Sequence, residues 1–440
     1  MFLIAANGYY LRYNMTAIHR KKLFFNFSSL SLIQVISAVF SVVVIPYAIR
    51  RIGVENFAVT AVAQVVMFYL SVVTDYGFGQ TATREIALNA GNTKKISEVF
   101  SSVLLTKFLL AVICFGILLL LCSVIPIFRQ HIYLYLLAFA FVLGQVLLVN
   151  WFFQGHEKMH LIAIFNLAGR TIFLVLVISF IKSPADTPLY LFFMGLGNMI
   201  AGVVSIIYAI TTGGIGYTAP SVKEIKSELK NGWQIMLANL SITTSQYSGL
   251  FILRFFTNDL IVGYYSIAEK IFFAMKLMLG AFTQAVYPRV CQLIEEKKKQ
   301  LILFFRQIYF PFLLVVFLAV AIVSAFAGQI THLFMGSHHH QMAAMLLRLL
   351  CVAVFLSALN IPGNLILFAA DHKKSYFRVF ALSCIVNIVL NIVLASLFTA
   401  TGTAIAVMIT ELFVAAGLSW EVYKLYSLKP RTAIKKIVNG

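Results

Sequence analysis

The chain has 440 residues, 61% of them hydrophobic and 11% charged, and a mean hydropathy of +0.92. Soluble proteins carry about 25% charged residues, so a water-soluble globule is excluded, as are disordered, collagen-like and disulfide-rich secreted classes. The composition is that of an all-α polytopic membrane protein. Thirty-four Lys and Arg against fifteen Asp and Glu give a net charge of +19. In a membrane protein that excess is first of all topological, and it implies no nucleic-acid partner.

Residues 1–22 form a mixed polar segment ending in His19-Arg20-Lys21-Lys22, without a cleavable signal peptide. Met15 is an alternative start to Met1, because the basic cluster directly precedes the first apolar run. A spanning helix needs about 20 apolar residues. Six stretches before residue 211 meet this: Leu23–Ile49, Phe57–Thr74, Val99–Phe128, Ile132–Gln154, Met159–Ile181 and Leu189–Ile210. A polar linker follows over 211–230, with Val222, Ile225 and Leu229 at helical spacing among charges. It reads equally as an amphipathic helix on the inner membrane face or as a solvated connector. The second group of spans is Asn231–Leu253, Leu260–Tyr287, Gln307–Gln329, Gln341–Ala370 and Val379–Thr410. The last is too long for one helix and divides at Thr399-Ala400-Thr401-Gly402, which places Glu411 in a final span ending near Tyr423. The expectation is about twelve transmembrane helices in two six-helix bundles, 23–210 and 231–425, with a basic tail over 426–440.

With both termini inside, twenty-three Lys and Arg fall in inner segments and four in outer loops. The positive-inside rule then fixes both termini in the cytoplasm. The outer loops are short and hold no external domain.

Catalytic signatures are missing. There is no GxxxxGK[ST], HExxH or GxSxG, and no Cys/His cluster, so no cofactor and no metal are expected. His338-His339-His340 reads as a polar outer loop rather than a metal site, because no acid or cysteine accompanies it. The five cysteines, Cys114, Cys122, Cys291, Cys351 and Cys384, show no CxxC and read as reduced thiols. The chain reads as a carrier, not an enzyme.

The informative residues are the ionisable groups inside spans, each costing on the order of 3 kcal/mol to insert. They are Lys107, Arg170, Arg254, Glu269, Lys270, Lys276, Arg306, Arg348 and Glu411, with Asp75 at an inner helix end. Arg254 and Arg306 lie close enough to helix ends to snorkel. For Asp75, a helix cap or a pair with Arg84 is the plain structural alternative. At about 1.5 Å per residue, Arg170 lies roughly 17 Å into its span, Glu269 and Lys270 roughly 13–15 Å, and Glu411 roughly 15 Å, all near the midplane. Lys107 and Arg348 lie about 10 Å deep from the inner and outer sides. Glu269 and Glu411 are candidate coupling acids or partners for the cations, with Lys270 and Lys276 in reach of Glu269 along one helix. The seven cations in spans outnumber these acids. The excess implies a wet, positively charged cavity suited to an anion.

Four strings carry a family resemblance. The first hairpin reads Pro46-Tyr47-Ala48-Ile49-Arg50-Arg51-Ile52-Gly53-Val54-Glu55-Asn56-Phe57. The second span ends Asp75-Tyr76-Gly77-Phe78-Gly79, running on to Arg84-Glu85. The fourth ends Asn150-Trp151-Phe152-Phe153-Gln154-Gly155. The eighth opens Val262-Gly263-Tyr264-Tyr265-Ser266-Ile267-Ala268-Glu269-Lys270 and closes Tyr287-Pro288-Arg289. Together these resemble the Wzx-type O-antigen and polysaccharide flippases of the multidrug/oligosaccharidyl-lipid/polysaccharide exporter superfamily. Ala58 departs from the glycine often found there. The resemblance implies transfer of undecaprenyl-pyrophosphate-linked oligosaccharide from the inner to the outer leaflet of the bacterial inner membrane. It also implies a lipid bilayer setting, and a glycan polymerase and chain-length regulator as partners. The anionic head-group path would comprise Arg170, Lys270, Lys107, Lys276, Arg254, Arg306 and Arg348. A cation-coupled multidrug exporter of the same superfamily would be expected to carry an acid in the first span, and Leu23–Ile49 has none. A glycan polymerase would show a large outer loop, and an inert scaffold would not retain deep charges.

Overall fold

The computed structural model describes residues 43–438 except 90, 297, 337–339 and 371, and is all helical in those residues, without strands. Most of the first span therefore lies outside the described residues, as do the His338-His339 pair and the side chain of His340. In chain order the helices are α1 (43–52), α2 (Val54–Asp75), α3 (Phe78–Leu88), α4 (Thr93–Val124), α5 (Pro126–Arg129), α6 (Ile132–Ala138), α7 (Ala140–Leu147), α8 (Asn150–Gly155), α9 (Met159–Phe180) and α10 (Thr187–Gly213). After the linker come α11 (Val222–Leu253), α12 (Asp259–Glu296), α13 (Lys298–Phe304), α14 (Phe310–Ala325), α15 (Ala327–Met335), α16 (His340–Leu359), α17 (Ile361–Ala369) and α18 (Lys373–Val438).

Among the described residues, eight helical stretches are long and apolar enough to cross a bilayer. One of them, Lys374–Tyr426, supplies two passes, because α18 breaks at Thr399 (φ 51, ψ −131). Asn387 Nδ2 donates to Thr410 Oγ1 at 3.1 Å. In a straight helix those residues would be about 34 Å apart, so the chain reverses at Thr399. The Thr399–Gly402 division read from the sequence is where the turn lies. Helices α11 and α12, of 32 and 38 residues, are also long enough to cross a bilayer, but uncharged polar residues in α11 and charges in α12 lower their hydropathy below that of the eight.

The breaks inside spans have local causes. Pro362 has no N–H to donate to the Ala358 carbonyl four residues back, so α16 ends and α17 begins there. The Tyr309 hydroxyl donates to the orphaned Ala358 oxygen at 3.1 Å. Tyr309 closes a π-helical turn, Phe305–Tyr309, in the ninth span. In the N-terminal half, glycines allow close helix approach. A Cβ on Gly195 of α10 would fall 2.3 Å from the Ala140 carbonyl carbon on α7, and one on Gly197 would fall 2.3 Å from the Gly169 oxygen on α9.

The linker expectation resolves differently from either alternative. Val222–Lys230 is neither a connector nor a separate surface helix but the opening of α11 itself. Ser221 and Glu224 form a reciprocal capping box, which starts the helix well before the apolar residues do. The backbone N–H of Ser221 holds the Glu224 carboxyl below its ordinary range. Burial, then the neighbouring Glu85, raises Glu228.

The two halves meet along α2, which packs on both α11 and α12. At its N-terminal end, a Cβ on Gly263 of α12 would lie 2.6 Å from the Val54 oxygen. At its C-terminal end, a Cβ on Gly232 of α11 would press against the Tyr76 oxygen. Arg50 Nη2 also donates to the Leu333 carbonyl at 2.6 Å, tying the two halves together beside the N-terminal end of α2. The five cysteines are free, and Cys114, Cys122 and Cys351 are buried.

Candidate functional site

Between the halves, at the Asp75 end of α2, lies a cavity of about 420 Å³. Its walls come from α2, α4, α7 and α11. Ser71 and Asp75 of α2, Lys107 of α4, Gln145 of α7, and Asn239 and Thr243 of α11 are its polar lining, under an aromatic group of Phe68, Phe141 and Tyr247. The Phe68 ring centroid lies 5.0 Å from that of Tyr247 and 5.6 Å from that of Phe141. The volume falls within the usual range for small-ligand sites, about 300–1,000 Å³.

Positions 64, 68, 71 and 75 share one face of α2 by helical spacing. That face carries the site from Asp75 at the inner end, past Ser71 and Phe68, to Gln64 nearer the midplane. Lys107 has 3% of its side chain exposed, and its Nζ lies 3.2 Å from both Asp75 Oδ1 and the Gln145 carbonyl. The Arg84 partner considered for Asp75 is therefore replaced by Lys107. Beyond the aromatic group, Lys270 Nζ donates to Gln64 Oε1 at 2.7 Å, a bond between α12 and α2.

The remaining intramembrane charges are dispersed. Lys276 Nζ pairs with Glu411 Oε1 at 2.7 Å, and Asn360 Nδ2 donates to Glu411 Oε2 at 2.8 Å. Glu269, 3% exposed, makes no ion pair or hydrogen bond with a described residue. Of the two partners read from the sequence for Glu269, Lys276 is taken by Glu411 on another helix, whereas Lys270 remains its electrostatic neighbour although the Lys270 ammonium donates to Gln64. Arg254 Nε pairs with Asp259 Oδ1 at 2.9 Å at the outer turn between α11 and α12. Arg306 is exposed on the π turn, and Arg348 is exposed with its Nε on the Ser324 carbonyl. Arg170 is half-buried on α9 without a hydrogen bond or ion pair to a described residue. It shares a helix face with Phe173 and the fully buried Val177. Of the residues assigned to the anion path, the structure thus puts Lys107 in the cavity wall and Lys270 above it at the seam, and does not gather the others there. Sequence reasoning missed Gln64, Gln145, Asn239 and Thr243. Uncharged polar residues in apolar spans were the available signal.

The Lys276–Glu411 pair looks structural, and a stability experiment distinguishes that role. Glu411→Gln leaves a one-third exposed cation without its counter-ion. It should lower stability by roughly 2–3 kcal/mol, somewhat less than for a fully buried pair. Removing both charges in Lys276→Met/Glu411→Gln should restore most of it. Thermal unfolding of the purified single and double variants measures this, and equal losses in both would refute a pairing role.

Comparison with known proteins adds the relatives. The family described as Polysaccharide biosynthesis protein matches residues 23–294. A protein of Escherichia coli (strain K12) named "Putative O-antigen transporter" is 24% identical over 370 residues, covering 84% of this chain and 89% of the relative. One of the same name from Shigella dysenteriae is 27% identical over 394 residues, covering 88% and 97%. Among solved structures, the inward closed conformation of the lipid II flippase MurJ aligns with a TM-score of 0.71 at 14% identity, covering 89% of this chain and 87% of that one. The inward-facing conformation of a multidrug resistance MATE family transporter of the MOP superfamily aligns at 0.67 and 16% identity, covering 91% and 99%. At these identities the structural likeness speaks to fold alone.

Proposed function

The chain belongs to the polysaccharide biosynthesis protein family, and from that premise we propose that it is a lipid-linked glycan flippase. The Wzx-type resemblance of the four sequence strings agrees with the family and with the two O-antigen transporter relatives. The fold does not choose among transporters, because drug exporters and a lipid II flippase share it. The observation that carries the reading is the cavity between the halves, with Lys107 and its partner Asp75 in a wall that also presents amides, hydroxyls and aromatic rings. That lining suits a phosphorylated sugar: the ammonium takes phosphate oxygens, amides and hydroxyls take sugar hydroxyls, and rings take the apolar sugar face.

In the finer reading, the substrate is an undecaprenyl-pyrophosphate-linked repeat unit of O-antigen or a related polysaccharide. The lipid tail stays in the bilayer of the bacterial inner membrane while the head crosses between the halves by alternating access. Two six-helix halves and cytoplasmic termini complete it, with a polymerase and a chain-length regulator acting on the exported units. Complementation tests the function. The chain expressed in a flippase-deficient strain should restore surface polysaccharide, scored against membrane protein level. A well-inserted protein that restores none, in strains covering several repeat-unit chemistries, would refute the reading. A reporter after Lys436 should read cytoplasmic and one in the 338–340 loop periplasmic.

A further inference from the structure

Lys107 is almost wholly withdrawn from water, whereas its counter-ion Asp75 is 42% exposed. A buried cation holds its partner strongly, because losing it leaves an uncompensated charge. A phosphate that enters this cavity therefore does not meet a free cation. It meets one already held by Asp75 and the Gln145 carbonyl, and binding there is an exchange of one anion for another.

The anion that must leave stands at a hinge. Asp75 is the last residue of α2, and the next two, Tyr76 (φ 48) and Gly77 (φ 83), are both left-handed and turn the chain into α3. For Tyr76 that conformation is strained. The same two residues form the inner contact with the other half. A Cβ on Gly77 would lie 2.7 Å from Ile235, and Gly232 is pressed against the Tyr76 oxygen. A second place for the carboxylate is nearby. Gly77 caps α3 without a side-chain hydrogen bond, and a Cβ on Gly79 would lie 3.5 Å from Asp75 Oδ2. The opening turn of an 11-residue helix offers free N–H groups to a carboxylate.

We propose that Asp75 is a built-in stand-in for the substrate's phosphate at Lys107, and that its displacement toward the start of α3 resets the Tyr76–Gly77 turn. Occupancy of the cavity is thereby coupled to the inner contact between the halves. The inference rests on the flippase reading and adds the element that senses the substrate. A ligand shifts such an equilibrium only by its differential affinity for the two states. Here the difference is whether Lys107 is free.

The test uses the purified full chain in nanodiscs with inorganic pyrophosphate as probe and sulfate as the ionic-strength control. Calorimetry reads binding, and hydrogen exchange reads 76–88 and 229–236. Pyrophosphate should raise exchange in both segments of the wild type. Asp75→Asn keeps the shape and an acceptor oxygen but gives up the charge. It should bind pyrophosphate about tenfold tighter, as expected when a competing charge-assisted bond is weakened, with exchange already high and unresponsive to the probe. Lys107→Gln should lose both binding and response. Asp75→Glu, which keeps the charge, should retain the response, and it serves as the second variant if Asp75→Asn folds poorly. Pyrophosphate binding without any exchange response, or Asp75→Asn binding no tighter than wild type, would overturn the exchange and leave the flippase reading standing. A wild type that binds no pyrophosphate would remove Lys107 as a phosphate group and the exchange with it.

Discussion

Lys270→Ala should bring surface polysaccharide to background while the protein still inserts at normal level. Lys270 is half-buried at the seam and is held by an uncharged partner, Gln64, across the two halves at 2.7 Å. No carboxylate of a described residue makes a salt bridge with it, although the adjacent Glu269 acts on it through space, so no contact ion pair has to break for it to meet an anion. Its substitution costs the fold one neutral acceptor bond, on the order of 1 kcal/mol. On the proposed path, an anion that leaves Lys107 for the outer leaflet would pass the Phe68–Tyr247 contact, and Lys270 is the cation beyond it. In that low-dielectric position a charge counts for more than at the surface. Arg170→Ala should also abolish export without loss of folded protein, because no described residue balances that half-buried guanidinium. Arg170→Lys should rescue in part, since it loses the bidentate fork. Substitutions at Lys297–Lys299, which the sequence reading places in an inner loop, are the controls and should leave export nearly intact. Complementation of a flippase-deficient strain, with immunoblotting of the membrane fraction, measures this. Normal polysaccharide from both Arg170→Ala and Lys270→Ala would end the cationic-path mechanism.

Hydropathy made most of the fold readable, because a bilayer permits few solutions: each apolar run of about 20 residues must be a helix. The same rule read the turn at Thr399 from a run too long for one pass. Partner choice was not readable. Lys276 and Glu269 are seven apart on one helix, yet Lys276 bonds Glu411, 135 residues away. Local spacing reports which residues share a face, whereas tertiary packing decides what that face meets. Asp75 shows the same limit, with Arg84 near in sequence and Lys107, 32 residues on, near in space. The family strings, in turn, mark places where backbones come close. Asp75-Tyr76-Gly77 forms the inner turn, Gly263 meets Val54, and Trp151, Phe152 and Phe153 are buried in the core around Phe78 and Ile86. Their pattern was legible before its cause, since the cause is contact between distant helices.

Glu269→Gln should keep the folded yield of the wild type and remove any dependence of transport on the proton gradient. A carboxyl that pairs with a cation would behave otherwise, because glutamine would leave that cation bare and folded yield would fall. The structure gives Glu269 no cation in salt-bridge contact among the described residues: Lys276 is engaged by Glu411, and Lys270, which acts on Glu269 only through space, donates to Gln64. Retaining an ionisable group at 3% exposure in the middle of a span is costly, and no contact ion pair with a described residue repays it. Its place on α12, one residue before Lys270, sets it at the seam where the halves must part. The experiment is substrate flipping by reconstituted protein under imposed pH gradients, with and without an uncoupler, in the wild type and in Glu269→Gln. The wild type should respond to both treatments and the variant to neither. Glu411→Gln, by contrast, should lose yield and keep the gradient dependence in what folds, so the two acids separate by opposite readouts. Wild-type flipping indifferent to the uncoupler would remove Glu269 as a coupling group. A yield loss in Glu269→Gln matching that of Glu411→Gln would return it to a structural role.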